Sequence, residues 1–553
     1  MHKRTKRFLV GLIILASFSC SDREADAIFT LLPSQQTGLD FINEVVDQDS
    51  MNIIQYLYFY NGGGVAIGDI NQDGLEDLFF TANQKDNRLF LNKGDLKFKD
   101  ITEQAGIRQE GNWSTGANIV DVNGDGWLDI YVCQVGAYKT LQGKNQLFIN
   151  QGPTGNAANV QFEEQAAAYG LDFEGFSTQS AFFDYDLDGD LDLYLLNHSV
   201  HSTETYRDTS ATRRYDSRAG DRLYRNDGTQ FTEVTQETGI ISGIAGYGLG
   251  VAVADLDRNG CPDLYISNDF HEDDFLYLNT CDGAFRQVSA NSFGHISNFS
   301  MGNDIADLNN DLWPDIMTLD MKPESEFELK NAMGSDPYDI YRFKRSFGYH
   351  DQIPRNMLQL HQGLAPDGKP RFSEVGQQLG LAATDWSWSV LLADLDNDGW
   401  KDIHISNGII RRPNNLDYLK YISSRQIQEN ATDLELAAQM PSGKVSNYIY
   451  KNIDGKAFNN TTTAWGIDRP SYSNGTAIAD LDNDGDLEII VNTINEEVLL
   501  FENQIASQNY LQLSLEGTAN NPFGIGAKVQ VFTGAIAQQQ SLYPTRGRQL
   551  SES

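Results

Sequence analysis

The chain has 553 residues, and 77 Asp+Glu against 41 Lys+Arg leave a formal charge of −36. That balance excludes a nucleic-acid binder, whose partner's phosphates demand Lys and Arg, and it fits a cation binder or a soluble, self-repelling surface. With 11% aromatic and 40% hydrophobic residues and 49 glycines, the chain can pack a core and is not of disordered composition.

The first element is a leader, residues 1–20. Lys3, Arg4, Lys6 and Arg7 precede an apolar run from Phe8 to Phe18. That run is too short for a bilayer core, which needs about 20 residues, so it reads as an export signal. "LASFSC" resembles a bacterial lipobox, which implies lipidation of Cys20; ordinary secretory cleavage is the alternative. The acidic "SDREAD" that follows resembles the surface-export tag of Bacteroidetes lipoproteins and implies an outer-membrane or cell-surface location. No later apolar run is long enough for a transmembrane helix.

Further along, one nine-residue pattern recurs seven times. It places Asp69, Asn71, Asp73 and Asp77 in "DINQDGLED", and Asp121, Asn123, Asp125 and Asp129 in "DVNGDGWLD". "DYDLDGDLD" carries Asp184, Asp186, Asp188 and Asp192, and "DLDRNGCPD" carries Asp255, Asp257, Asn259 and Asp263. The fifth, "DLNNDLWPD", has Asp307, Asn309, Asp311 and Asp315. Asp394, Asp396, Asp398 and Asp402 lie in "DLDNDGWKD", and Asp480, Asp482, Asp484 and Glu488 in "DLDNDGDLE". Positions 1, 3, 5 and 9 always bear oxygen, and position 6 is Gly in six of the seven.

Like charges about 4 Å apart repel by roughly 4 kcal/mol at an effective dielectric near 20. A cation offsets that repulsion. Six to eight oxygens at about 2.3–2.6 Å suit Ca²⁺, and the stricter octahedron of Mg²⁺ suits these loops less well. Asx-rich turns without metal are the bland alternative. The loops are not EF-hands, which need Glu at position 12 and a following helix. Position 12 here is Phe80, Val132, Leu195, Ile266, Thr318, Ile405 or Val491, and β-type runs such as "DLFFTAN" and "DLYISN" follow.

Around each loop the pattern predicts a four-stranded unit. "GGGVAIGD", "DLFFTAN", "NRLFLNKG" and "FKDITEQAGI" are the strands of the first. Radial repetition of such units makes a β-propeller, here all-β and seven-bladed over residues 29–503. The seventh unit lacks a fourth strand, and "FTLLPSQQTGLDF" matches the outer-strand segments, so the N-terminal segment is expected to close the ring. Extra residues fall at about 198–220, 321–354 and 409–445, between second and third strands, and the last reads as helix. Cys261 and Cys281 lie at the outer ends of a hairpin, where a disulfide or two separate thiols would both fit; Cys133 has no evident partner.

These units resemble the FG-GAP/VCBS repeats of integrin α-chain propellers and bacterial surface proteins. "NNPFGIGAKVQVFTG" and "PTRGRQLSES" resemble the start of an ASPIC/UnbV domain, as in cartilage acidic protein-like chains, so residues 508–553 are expected to form a partial β domain. The resemblance implies extracellular, calcium-dependent binding of a glycan or protein ligand and carries over no catalytic residue. The alternative is a calcium-dependent polysaccharide lyase. No HExxH pair, nucleophile elbow, P-loop or dinucleotide fingerprint occurs. His198 and His201, with His271, could meet near one face, and they read rather as surface polar residues. The third, sixth and seventh loops, richest in carboxylates, are expected to bind Ca²⁺ most tightly, and the fifth, with Leu312 in place of Gly, least.

Overall fold

The computed structural model describes residues 27–109, 111, 113–153, 160–200, 208–505, 509–534 and 536–551. The leader, Cys20 and His201 lie outside them. Second strands such as Asp129–Gln134 and Asp192–Asn197 are buried along their whole length. Each sheet is covered on both faces by its neighbours, so these strands read as unbroken apolar runs rather than alternating ones.

Seven antiparallel sheets form the expected β-propeller. The first is Val65–Gly68, Asp77–Phe80, Arg88–Asn92 and Phe98–Asp100, counted outward from the axis; the others span 114–164, 177–233, 248–287, 303–374, 387–460 and 473–503. Phe29–Leu32 pairs antiparallel with Leu499–Asn503, from Phe29 opposite Asn503 to Leu32 opposite Leu500. The N-terminal segment is therefore the fourth strand of blade 7, and the ring closes as expected. Near the axis a Cβ on Gly475 would stand 2.8 Å from the Gly63 carbonyl oxygen, so glycine is what lets blades 7 and 1 meet there.

The acidic loops join first to second strands and share one rim. The inserts join second to third strands and share the opposite rim. The second insert carries helices Glu326–Asn331 and Tyr338–Ser346. The third is not one helix but three: Leu416–Ile422, Arg425–Asn430 and Asp433–Ala438. It restarts because Asn415 caps the first, and Thr432 with Glu435 forms a capping box on the last. Residues 42–61, unassigned from the sequence, cap the insert-side mouth. Met51, Tyr56, Tyr58 and Phe59 pack there with Trp113, Tyr247 and Trp388 in one core cluster.

Of the C-terminal stretch expected to form a partial β domain, the described residues 509–534 and 536–551 pack onto the ring. Lys528–Thr533 and Ile536–Ser541 form a hairpin on the acidic rim, held by Lys528 Nζ 2.8 Å from Asp255 Oδ2 and by Gln538 Nε2 donating to the Gly399 carbonyl at 2.8 Å. The chain then turns into the axis. There Thr545–Arg546 pairs with Leu550–Ser551, which runs parallel to Val65–Gly68 and joins the sheet of blade 1. Cys261 and Cys281 are bonded, their Cα atoms 5.8 Å apart, tying the blade 4 loop to the turn between its outer strands. Cys133 is free and buried. Among the described residues, no helix is long and apolar enough to cross a membrane.

Candidate metal centres in the acidic loops

The loops share one wiring diagram. In six, the position-1 carboxylate accepts the N–H of position 6, as when Asp69 Oδ2 receives Gly74 at 2.7 Å and Asp394 Oδ2 receives Gly399 at 2.8 Å. In all seven, position 5 accepts the N–H of position 7, closing an Asx turn. Position 6 takes positive φ throughout, including Leu312 at 69°, where the missing glycine was expected to matter. Position 4 does so as well, for example Leu187 at 62° and Arg258 at 59°. The nine-residue spacing did not reveal that second demand.

Position 9 does most to join the loop to the fold. Asp77, Asp129, Asp192, Asp263, Asp315, Asp402 and Glu488 are all buried. One carboxylate oxygen of each accepts the N–H of position 2. The other accepts a third-strand N–H: Asn92, Asn150, Asn226, Asn279, His361, Asn452 or Asn503. Burial pushes Asp77 and Asp402 up to about 8, Asp192 to about 9 and Glu488 to about 10. A nearby cation reverses that logic by favouring the charged form.

The third-strand residue completes a circuit that sequence reasoning missed. The Asn150 side chain donates to the Ile70 carbonyl of blade 1 at 2.9 Å, and Asn279 to Tyr185 of blade 3 at 2.7 Å. Asn92, Asn226, Asn452 and Asn503 do the same toward Leu481, Val122, Leu308 and Leu395. His361 Nε2 stands in on the fifth blade, 3.0 Å from the Leu256 carbonyl. Every loop is thus bonded to the next blade, all the way round.

Four loops bring three carboxylates together with one oxygen of each within 4.8 Å of the others: Asp184, Asp186 and Asp192; Asp255, Asp257 and Asp263; Asp394, Asp396 and Asp402; Asp480, Asp482 and Glu488. Within these, Asp186 Oδ1, Asp255 Oδ1, Asp396 Oδ1 and Asp482 Oδ1 are buried and accept no hydrogen bond. A buried charged oxygen left bare costs free energy. These all-oxygen sets fit a hard metal ion. The first, second and fifth loops instead carry Asn71, Asn123 and Asn309, whose amides donate to Asp73, Asp125 and Asp311 at 3.0, 2.9 and 3.1 Å. The position-5 carboxylates Asp188, Asp398 and Asp484 stand outside these triads.

Two ammonium groups intrude. Lys451 Nζ contacts Asp396 and lies 2.8 Å from Asp398 Oδ2 in blade 6, and Lys528 pairs with Asp255 in blade 4. The histidines also depart from expectation. His198 is buried, 2.7 Å from the Tyr56 hydroxyl and 3.1 Å from Thr178 Oγ1, and burial lowers its pKa to about 3. His271 is buried against Tyr349 and Tyr247. Neither is a surface residue, because the cap at 42–61 covers one and the second insert packs on the other.

Fold and loops together define a seven-bladed propeller with an acidic, oxygen-rich loop in every blade. A family model for FG-GAP-like repeats matches residues 69–132 and 210–266. Cartilage acidic protein 1 of Xenopus tropicalis is 31% identical over 215 residues, 38% of this chain and 29% of the relative. The Homo sapiens protein of that name is 27% identical over 210 residues, 38% of this chain and 28% of its own length. The chain therefore spans about a third of the curated relatives it matches. Two solved structures are also similar. An Agrocybe aegerita lectin, described with non-reducing terminal N-acetylglucosamine, has a TM-score of 0.35 at 14% identity, covering 78% of this chain and 88% of that one. The V. cholerae biofilm matrix protein Bap1 has a TM-score of 0.37 at 11% identity, covering 95% and 99%.

Proposed function

We propose that this chain is a calcium-binding propeller, exported and anchored at the cell surface through Cys20, that holds a glycan or protein ligand on its insert rim without transforming it. Calcium is supported by the four carboxylate triads and their bare, buried oxygens. Recognition is supported chiefly by one observation on the second insert. Its two helices bury none of their residues, and Phe327, Tyr338 and Phe343 are 72%, 71% and 56% exposed. A soluble monomer rarely leaves so many large apolar groups together in water unless they bind something. Tyr338 and Tyr341, stacked 6.3 Å apart, line a cleft of about 300 Å³ with Asp336, Lys344, His350 and Gln352. Amphipathic rings beside a few polar groups are the usual furniture of a binding pocket.

The test is a glycan and protein array with calcium present, comparing the parent with a Tyr338→Ala, Tyr341→Ala double variant. Capture by the parent and at least tenfold loss in the variant, at unchanged melting temperature, is the expected result. Equal capture by both places recognition elsewhere. Release of product from a polysaccharide would favour the lyase reading instead.

A further inference from the structure

The axis of the ring holds a stretch of the chain's own backbone. Asn118 Nδ2 of blade 2 donates to Thr545 Oγ1 at 2.7 Å, and that hydroxyl donates to the Ser180 carbonyl of blade 3 at 3.0 Å. Arg546 Nη2 reaches Asp304 Oδ2 of blade 5 and the Leu392 carbonyl of blade 6, each at 2.7 Å. The Arg548 N–H donates to Ser389 Oγ at 3.2 Å, and Leu550 and Ser551 pair with Val65 and Ala66 of blade 1. Five blades contribute.

The channel is shaped for a backbone. A Cβ on Gly64 would stand 1.9 Å from the Gln549 carbonyl oxygen, and one on Gly302 3.0 Å from Arg548 Cβ. In return Gly547, at φ 57°, would place a Cβ 2.7 Å from Ser389 Oγ. Side-chain pairing, by contrast, is incomplete. Arg548 is 1% exposed, and its guanidinium lies 4.3 Å over the Trp388 ring with Nη1 3.3 Å from the Asn61 carbonyl. Its Nε and Nη2, and both amide atoms of Gln549, have no hydrogen-bond partner. A buried guanidinium without a carboxylate is a poor anchor.

We propose that the axial channel is a binding groove for an extended, arginine-bearing peptide, and that residues 544–551 are its resident, displaceable ligand. Main-chain pairing to the inner strand of blade 1 supplies affinity, as in other strand additions. Arg548, held by one carbonyl and a ring face and by no carboxylate hydrogen bond, keeps that affinity low enough for exchange, while covalent linkage keeps the channel filled through high local concentration.

The experiment uses the folded chain with a protease site inserted at Gly534, in the turn of the tail hairpin. After cleavage, a fluorescent nonapeptide of the Tyr543–Ser551 sequence should bind saturably, and at least tenfold more tightly than to the uncut chain. The same peptide with Gly547→Val, or scrambled, should bind at least a hundredfold more weakly. Placing the changes in the peptide keeps the ring unaltered. Equal binding of all three peptides, or no uptake by the cut chain, would overturn the proposal.

Discussion

On one rim of the ring the acidic loops repeat one pattern of hydrogen bonds, shared by six or all seven; on the other the three inserts differ in length and, over their described residues, in secondary structure. Charge divides the same way. The inserts at 198–220, 321–354 and 409–445 contain fourteen Lys+Arg and thirteen Asp+Glu, in a chain whose charge is −36. All the excess acid lies outside the inserts. A repeated geometry is what a ring needs for closure, because each blade must present the same edge to the next. Variation is tolerated where no neighbour depends on it, and binding groups accumulate there. The two rims should therefore respond to perturbation in opposite ways.

Chelation should give the largest effect, because it strikes one rim only. A ligand held at a hundredfold above its Kd stabilises by about 2.7 kcal/mol per site, so filling the four triad loops should raise the melting temperature markedly. pH sharpens the contrast. Without cation, Asp77, Asp192 and Asp402 have folded pKa values raised to about 8 or 9. Their native state binds more protons than the unfolded one, so chelated stability should fall as pH rises from about 4 through 9. His198 and His404, lowered to about 3, act in the opposite sense but only below their unfolded value near 6.5. Denaturant titration between pH 7 and 9 thus avoids the histidines, and only Arg548, lowered to about 9 by burial, acts against the carboxylates at the top of that range. Saturating calcium should flatten the slope, and a chelated protein that gains stability over that range would refute the assignment.

The next effect separates holding metal from holding the loop. Asp192→Ala would strip acceptors from the Tyr185 and Asn226 N–H groups, at about 1–3 kcal/mol each. Asp188→Ala, on the open side of the same loop, should weaken calcium binding yet cost under about 1 kcal/mol in chelator. If both variants lose equal stability without calcium, position 9 is only a ligand. Smaller still, Asn150→Ala should cost about 1–3 kcal/mol by leaving the Ile70 carbonyl unpaired, with calcium affinity of its own loop nearly unchanged in calorimetry.

What could be read in advance follows from range. The loops, the glycine at position 6 and the closing strand were legible, since their signals lie within about ten residues or repeat seven times. The asparagine in "LFLN", "LFIN", "LYRN" and "LYLN" was just as visible. Its role was not, because its acceptor belongs to the preceding blade, 80 residues away for Asn150 and Ile70. The cap at 42–61 has no period to detect; its tyrosines are ordered by partners in other blades, such as His198 for Tyr56. The ranking of the metal loops rests on carboxylate count alone, which leaves out Lys451, the lysine facing loop six.

That lysine gives the smallest and most specific test. Loop six has as many acidic groups as a tight site needs, yet Lys451, on the third strand of the same blade, sets its ammonium against Asp396 and Asp398. In blade 3 the matching residue is Arg225, whose Nε turns away to Asp227 at 2.9 Å, leaving Asp186 to the triad. An incoming cation at loop six must first displace a charge-assisted bond. Loop six should thus be weaker than loop three, contrary to a count of carboxylates alone. Lys451→Met keeps the apolar stem against the strand and removes the competing charge. It should tighten one calorimetric calcium site by about tenfold, equivalent to ~1.4 kcal/mol, and leave binding at the insert rim untouched. Unchanged or weakened calcium binding in that variant would mean that Lys451 yields freely and that acidic count does set the order.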